Sequence, residues 1–211
     1  MTVTWRVAIA AGLGVWASVA AHVDARSQAR GAGPAPAPQK VYREWTVKEL
    51  LPSVIDLGTG HDWNQGRELF KKAGCGLCHA FAAESEGTGL APDLTGVGST
   101  LTRDALLQSI LEPSATINGR FFQTTFTLKT GQVVTGTVID VEDKKILVAP
   151  VLMNPSATVL VAEADVAKEE PSPVSAMPPG LLNAFTREQI VELMAFLDAG
   201  GDRGAAVYRK K

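Results

Sequence analysis

The chain has 211 residues, 45% of them hydrophobic and 20% charged, which is the composition of an ordinary folded protein of one or two domains. Its net charge is −2 and no basic stripe appears, so nothing points to a nucleic-acid partner. Only two cysteines are present, too few for a disulfide framework.

The N-terminus reads as an export signal over residues 1–25. Arg6 supplies a positive start, residues 7–21 form an apolar run, and small residues allow cleavage after Ala20 or Ala25. The run is shorter than the roughly 18 to 20 residues of a spanning helix, so cleavage is favoured over a retained anchor. No cysteine lies nearby to carry a lipid. The expectation is an exported, periplasmic protein with no stable membrane insertion after cleavage. Residues 26–40 hold Gly31, Gly33, Pro34, Pro36 and Pro38 among Ala, Ser and Gln, the composition of a disordered linker. A folded domain is expected over 41–205.

Trp45, Leu50, Leu51, Val54 and Leu57 are spaced for a short helix interrupted by Pro52. A firmer helix begins after Asp62, where Asp62 and Gln65 resemble a capping box and Gly74 stops it. Gly66 inside that helix suggests a close crossing by another. A third helix is expected over about 103–111, with Thr102 as its cap and Pro113 at its end. The last begins after Thr186: Phe185 and Ile190 form a staple, and Thr186 with Gln189 a capping box. Ile190, Leu193, Met194 and Leu197 line its face, and Gly200 and Gly201 close it. Between the last two helices the chain turns rich in Thr, Val, Ile and Phe. Strands are expected near 121–128, 132–141, 145–150 and 158–161, joined by turns at Lys129-Thr-Gly131 and Glu142-Asp-Lys144. They make a small antiparallel sheet inserted at about 120–165.

The sharpest motif is Cys75-Gly-Leu-Cys78-His79. Thiols at i and i+3 share one face of a helical turn and can reach two vinyl groups on one porphyrin edge. The next residue then projects toward the iron. C-x-x-C-H reads as covalent attachment of one haem c, with His79 as axial ligand. A zinc site would need four ligands, and beyond these three only His22, His61 and carboxylates remain. A thioredoxin-like pair would expect a βαβ setting. Two buried structural thiols would be unusual in an oxidising compartment.

A second axial ligand commonly comes from Met or His. Of Met1, Met153, Met177 and Met194, the first leaves with the signal and Met194 falls on an apolar helix face. Met177 lies in a proline-rich loop before the last helix and is favoured. Met153 remains open, as does His61, which would give bis-His ligation.

The motif, the downstream Pro-Asp-Leu-Thr and the Met-Pro loop before a final helix resemble class I cytochromes c. The chain is also similar to the haem-binding domain of planctomycete and verrucomicrobial proteins. The residues concerned are Gly66-Arg-Glu-Leu-Phe70, Cys75 to His79, Ala91-Pro-Asp-Leu-Thr95 and Leu106-Leu-x-x-Ile110-Leu-Glu-Pro-Ser114. Lys129-Thr-Gly-Gln-Val-Val-Thr-Gly136 and Ser172-Pro-Val-Ser-Ala-Met-Pro-Pro-Gly-Leu181 complete the series. This resemblance covers residues 45–201 and implies a mainly α cytochrome c fold with an inserted small antiparallel sheet, α+β overall. It implies that Pro92 offers its carbonyl to the His79 ring, although Ala91 stands where the family commonly has Gly. It also implies that the first and last helices cross, giving Gly66, Phe70 and Phe196 a shared packing role.

The function expected is a periplasmic monohaem c-type cytochrome, an electron carrier rather than an enzyme. Its iron would be held by His79 and Met177, and its partners would be redox proteins such as a periplasmic dehydrogenase or terminal oxidase. The alternatives are a haem enzyme or gas sensor with a labile sixth ligand, and a haem-bearing docking subunit of a dehydrogenase.

Overall fold

The computed structural model describes residues 43–81, 90–152, 154 and 157–210. The signal and linker assignments, and Met153, lie outside the described residues.

Five helices carry the first core. Helix α1 (Val47–Val54) starts from a complete capping box between Thr46 and Glu49. It runs through Pro52 without a break. The proline is exposed in the last turn, and the Ile55 N–H still reaches Leu51 O at 2.9 Å. Helix α2 (Trp63–Lys72) begins at Asp62, whose carboxylate accepts from the N–H groups of Asn64 and Gln65 at 2.8 and 3.2 Å. Gln65 does not close the expected box. The Asp62 N–H donates to Glu192 Oε2 at 2.9 Å, so a distant helix supplies the reciprocal bond.

Helix α3 (Val97–Thr100) is a single turn, and α4 (Arg103–Leu111) follows it. Thr102 stands at the α4 cap position, but its side chain caps no backbone N–H. It bonds the Asp104 carboxylate instead, which holds that group below its ordinary value. Helix α5 (Arg187–Asp198) carries the Thr186–Gln189 capping box. Phe185 and Ile190 are both buried in the core. Gly200 and Gly201 turn the chain away at φ 59° and 72°, a region that favours glycine.

Helix α2 crosses α5 closely. A Cβ on Gly66 would lie 2.6 Å from Phe196 Cβ and 2.9 Å from Glu192 O, so only glycine fits. Phe70, Phe81 and Phe196 stack about this crossing with ring centroids 5.1 to 5.8 Å apart, and Trp63 meets Phe196 edge-on at 5.6 Å. Leu50, Val54, Leu107, Ile190, Leu193 and Met194 fill the rest of the core and are almost wholly buried.

The remaining residues build a sheet of β1 (Thr124–Leu128), β2 (Val133–Glu142), β3 (Lys145–Ala149), β4 (Val159–Ala162) and β5 (Val166–Pro171). All neighbours are antiparallel, in the order β4-β3-β2-β1-β5. The hairpin between β2 and β3 turns through Asp143 and Lys144, both at positive φ, as a two-residue turn of this twist requires. Phe126, Val134, Ile146, Val148 and Val161 form a second apolar core of their own.

This architecture corrects the expected mainly α cytochrome c fold with a small inserted sheet. Among the described residues, five short helices and a five-stranded antiparallel sheet, 33% helix and 21% strand, make it an α+β fold. Strand β5 extends the sheet past the expected boundary. Its Val-Ala-Lys-Glu-Glu-Pro sequence is mostly exposed and has no alternating apolar signal, because it is an edge strand paired only to β1.

Candidate haem-attachment site

Gly74 opens the site at φ 75°, ending α2 and starting the 3-10 turn Cys75–Leu77. The Cys78 and His79 N–H groups both fold back to Cys75 O, at 3.3 and 3.0 Å. This winding keeps both sulfur-bearing residues and the histidine on one compact turn. Cys75 packs against the helical core, while Leu77 between the cysteines is exposed. Cys75 and Cys78 are not joined in a disulfide.

The chain leaving the motif runs beside residues 91–94. His79 and Ala91 form a parallel bridge, the Ala91 N–H donates to Cys78 O at 3.1 Å, and the Leu94 N–H to Ala80 O at 2.8 Å. This pairing carries Pro92 against the imidazole. His79 Nδ1 lies 2.7 Å from Pro92 O. A carbonyl oxygen only accepts, so Nδ1 carries the proton and donates it. The other nitrogen, Nε2, then keeps a lone pair for a metal. Burial pushes the His79 pKa down, against the opposing pull of the Pro92 bond, which favours this neutral ring. Beyond Pro92, the Asp93 carboxylate accepts from the Thr95 N–H at 2.7 Å and holds the corner of the segment.

The thiols are not poised for dithiol exchange. Burial pushes Cys75 up to about 12 and Cys78 above its ordinary value, whereas attacking thiolates have lowered pKa values. The antiparallel sheet offers no βαβ unit among the described residues. Nor do three His, Cys, Asp or Glu side chains converge on one point among those residues, so a zinc-type donor set is not assembled. Attachment of a porphyrin through two thiols, with one imidazole to the iron, needs no such convergence. The residues present fit a haem c: two adjacent thiols, and an oriented imidazole with one nitrogen spare.

The candidates for the second ligand separate. His61 has both nitrogens engaged: Nε2 donates to Leu57 O at 2.6 Å and Nδ1 meets Glu192 Oε1 at 2.9 Å. It ties the segment before α2 to α5 and has no nitrogen spare for iron. Met194 is wholly buried in the helical core. Met177 is half-buried, and it is not a member of either apolar core. Its N–H donates to Ser175 Oγ at 3.1 Å. The roles of Ser175 and Glu192 escape a reading of motifs, since both act through bonds set by the fold.

Among the described residues no helix is long and apolar enough to cross a membrane. Compared with protein-family models and with curated proteins, the chain matches none of either.

Proposed function

We propose that this chain is an exported monohaem c-type cytochrome that carries single electrons between redox partner proteins. Cys75 and Cys78 would hold the porphyrin through thioether bonds, and His79 and Met177 would ligate its iron. The observation that carries the reading is the 2.7 Å bond from His79 Nδ1 to Pro92 O. It fixes the ring, on the same turn as both cysteines, in the tautomer that presents Nε2. When bound, the haem supplies a one-electron ferric–ferrous couple. The protein's part is to hold, orient and shield. Pro92 fixes the imidazole and raises its basicity, and Met177 would hold the iron together with His79. With His79 and Met177 both on the iron, no place there would be left for a substrate, which favours electron transfer over catalysis.

Visible spectra of the haem-matured full chain test the ligand set. The oxidised protein is expected to be low-spin with the weak red charge-transfer band of methionine–iron coordination. Met177→Ala is expected to abolish that band and keep the haem attached. Retention of the band in Met177→Ala would exclude Met177. Carbon monoxide binding to the reduced wild-type protein without denaturation would favour a gas sensor or enzyme with a labile sixth position.

A further inference from the structure

The segment between β5 and α5 contains three prolines, Pro173, Pro178 and Pro179, and follows Pro171 at the end of β5; all lack N–H donors and restrict the backbone. Four of its remaining N–H groups are committed to identified acceptors. Ser172 N–H donates to Gln123 O at 2.7 Å, tying the start of the segment to the residue before β1. Val174 N–H donates to Ser172 Oγ at 3.1 Å, and Ser172 itself is buried. Ser175 N–H donates to Ser114 Oγ at 3.1 Å, across 61 residues of sequence, to the turn that ends α4. Met177 N–H then donates to Ser175 Oγ at 3.1 Å.

We infer that Ser175 is a positioning residue for Met177, with Ser114 as its anchor on the helical side. This rests on the reading of Met177 as an iron ligand. Ser175 uses its two polar groups on different partners. Its N–H is held by the α4 turn, and its hydroxyl holds the methionine backbone. The other end of the segment continues from β5, whose last residue pairs with Thr124 of β1. The methionine is thus suspended between the helical layer and the sheet by hydrogen bonds rather than by packing in a core. A thioether held this way would leave the iron more readily if the suspension slackened. Ser175 therefore sets how firmly the sixth position is closed, and the sheet becomes part of the ligand's mounting.

The chain predicts a graded effect. A net hydrogen bond contributes a factor of about two to ten in an equilibrium. Removing the Ser175 hydroxyl should therefore raise the fraction with an open sixth position by about that factor.

The test compares wild type, Ser175→Ala, Ser175→Thr and Met177→Ala as haem-matured full chains. Three readouts are taken: the red band of the oxidised form, the reduction potential, and carbon monoxide uptake by the reduced form at a fixed pressure. Ser175→Ala is expected to keep its haem, weaken the band, shift the potential and bind about two- to tenfold more carbon monoxide. Ser175→Thr, which keeps a hydroxyl, is expected to restore wild-type values. Circular dichroism of Ser175→Ala matching wild type separates this from general unfolding. If Met177→Ala loses the band but Ser175→Ala behaves as wild type, the positioning role is overturned and the ligand reading stands. Equal changes in the alanine and threonine variants also overturn it. If Met177→Ala keeps the band, the ligand reading fails and this inference falls with it.

Discussion

At His79 the bond to Pro92 and the burial of the ring act on one titration. Burial lowers the folded-state pKa below the ordinary value of 6.5, so the unfolded chain takes up the proton first as pH falls. The stabilising contribution is complete above about 6.5 and is lost as pH drops through the lowered folded value. In the haem-free protein, wild-type stability is expected to fall across this window relative to His79→Gln, measured by denaturant unfolding at a series of pH values. Parallel profiles for the two proteins would mean that the ring titrates alike folded and unfolded. The spacing of Cys75, Cys78 and His79 was legible in the sequence because its chemistry is local. The place of Pro92 came only through resemblance, since nothing in an Ala-Pro-Asp run says which imidazole will meet its carbonyl. His61 was open as a ligand for the same reason: its partner Glu192 lies 131 residues away, and only the fold joins them.

Among the elements, the crossing of α2 on α5 decides what the first core tolerates. Alanine is a better helix former than glycine by about 1 kcal/mol, so Gly66→Ala would stabilise an isolated helix. Here the added Cβ meets Phe196 Cβ at 2.6 Å and backbone at 2.9 Å. Overpacking of this kind costs about 1 to 3 kcal/mol, which outweighs the propensity gain. Gly66→Ala is expected to be destabilising in urea unfolding, and a stabilised variant would show that the two helices slide apart freely. The suspicion of a close crossing at Gly66 came from a cost without local benefit. The helices themselves were readable from caps and apolar spacing, except where a partner came from elsewhere: Glu192 completes the Asp62 cap, and Thr102 serves Asp104 rather than a backbone N–H. Strand β5 was illegible because an exposed edge strand has no buried face to impose a period of two.

At the scale of the fold, two apolar cores stand among the described residues where one helical core with an insert was expected. The sheet has its own interior around Phe126, and its last strand leads directly into the segment that carries Met177. The helical layer carries the attachment turn. The residues of the proposed centre therefore come from different parts of the chain: His79 follows α2 on the attachment turn, and Met177 lies in the segment that joins β5 to α5. That division was hidden in the sequence, because the size of the sheet depends on β5 and on pairings that no short pattern encodes. The central claim is covalent attachment through Cys75 and Cys78, and intact mass measures it most directly. The full chain is produced with a haem-attachment system, extracted with acidified organic solvent and weighed. The account predicts the mass of the chain plus one haem, with none added when both cysteines are replaced by alanine. A chain that matures and folds but weighs only its own polypeptide, or that yields its haem to the solvent, would contradict it.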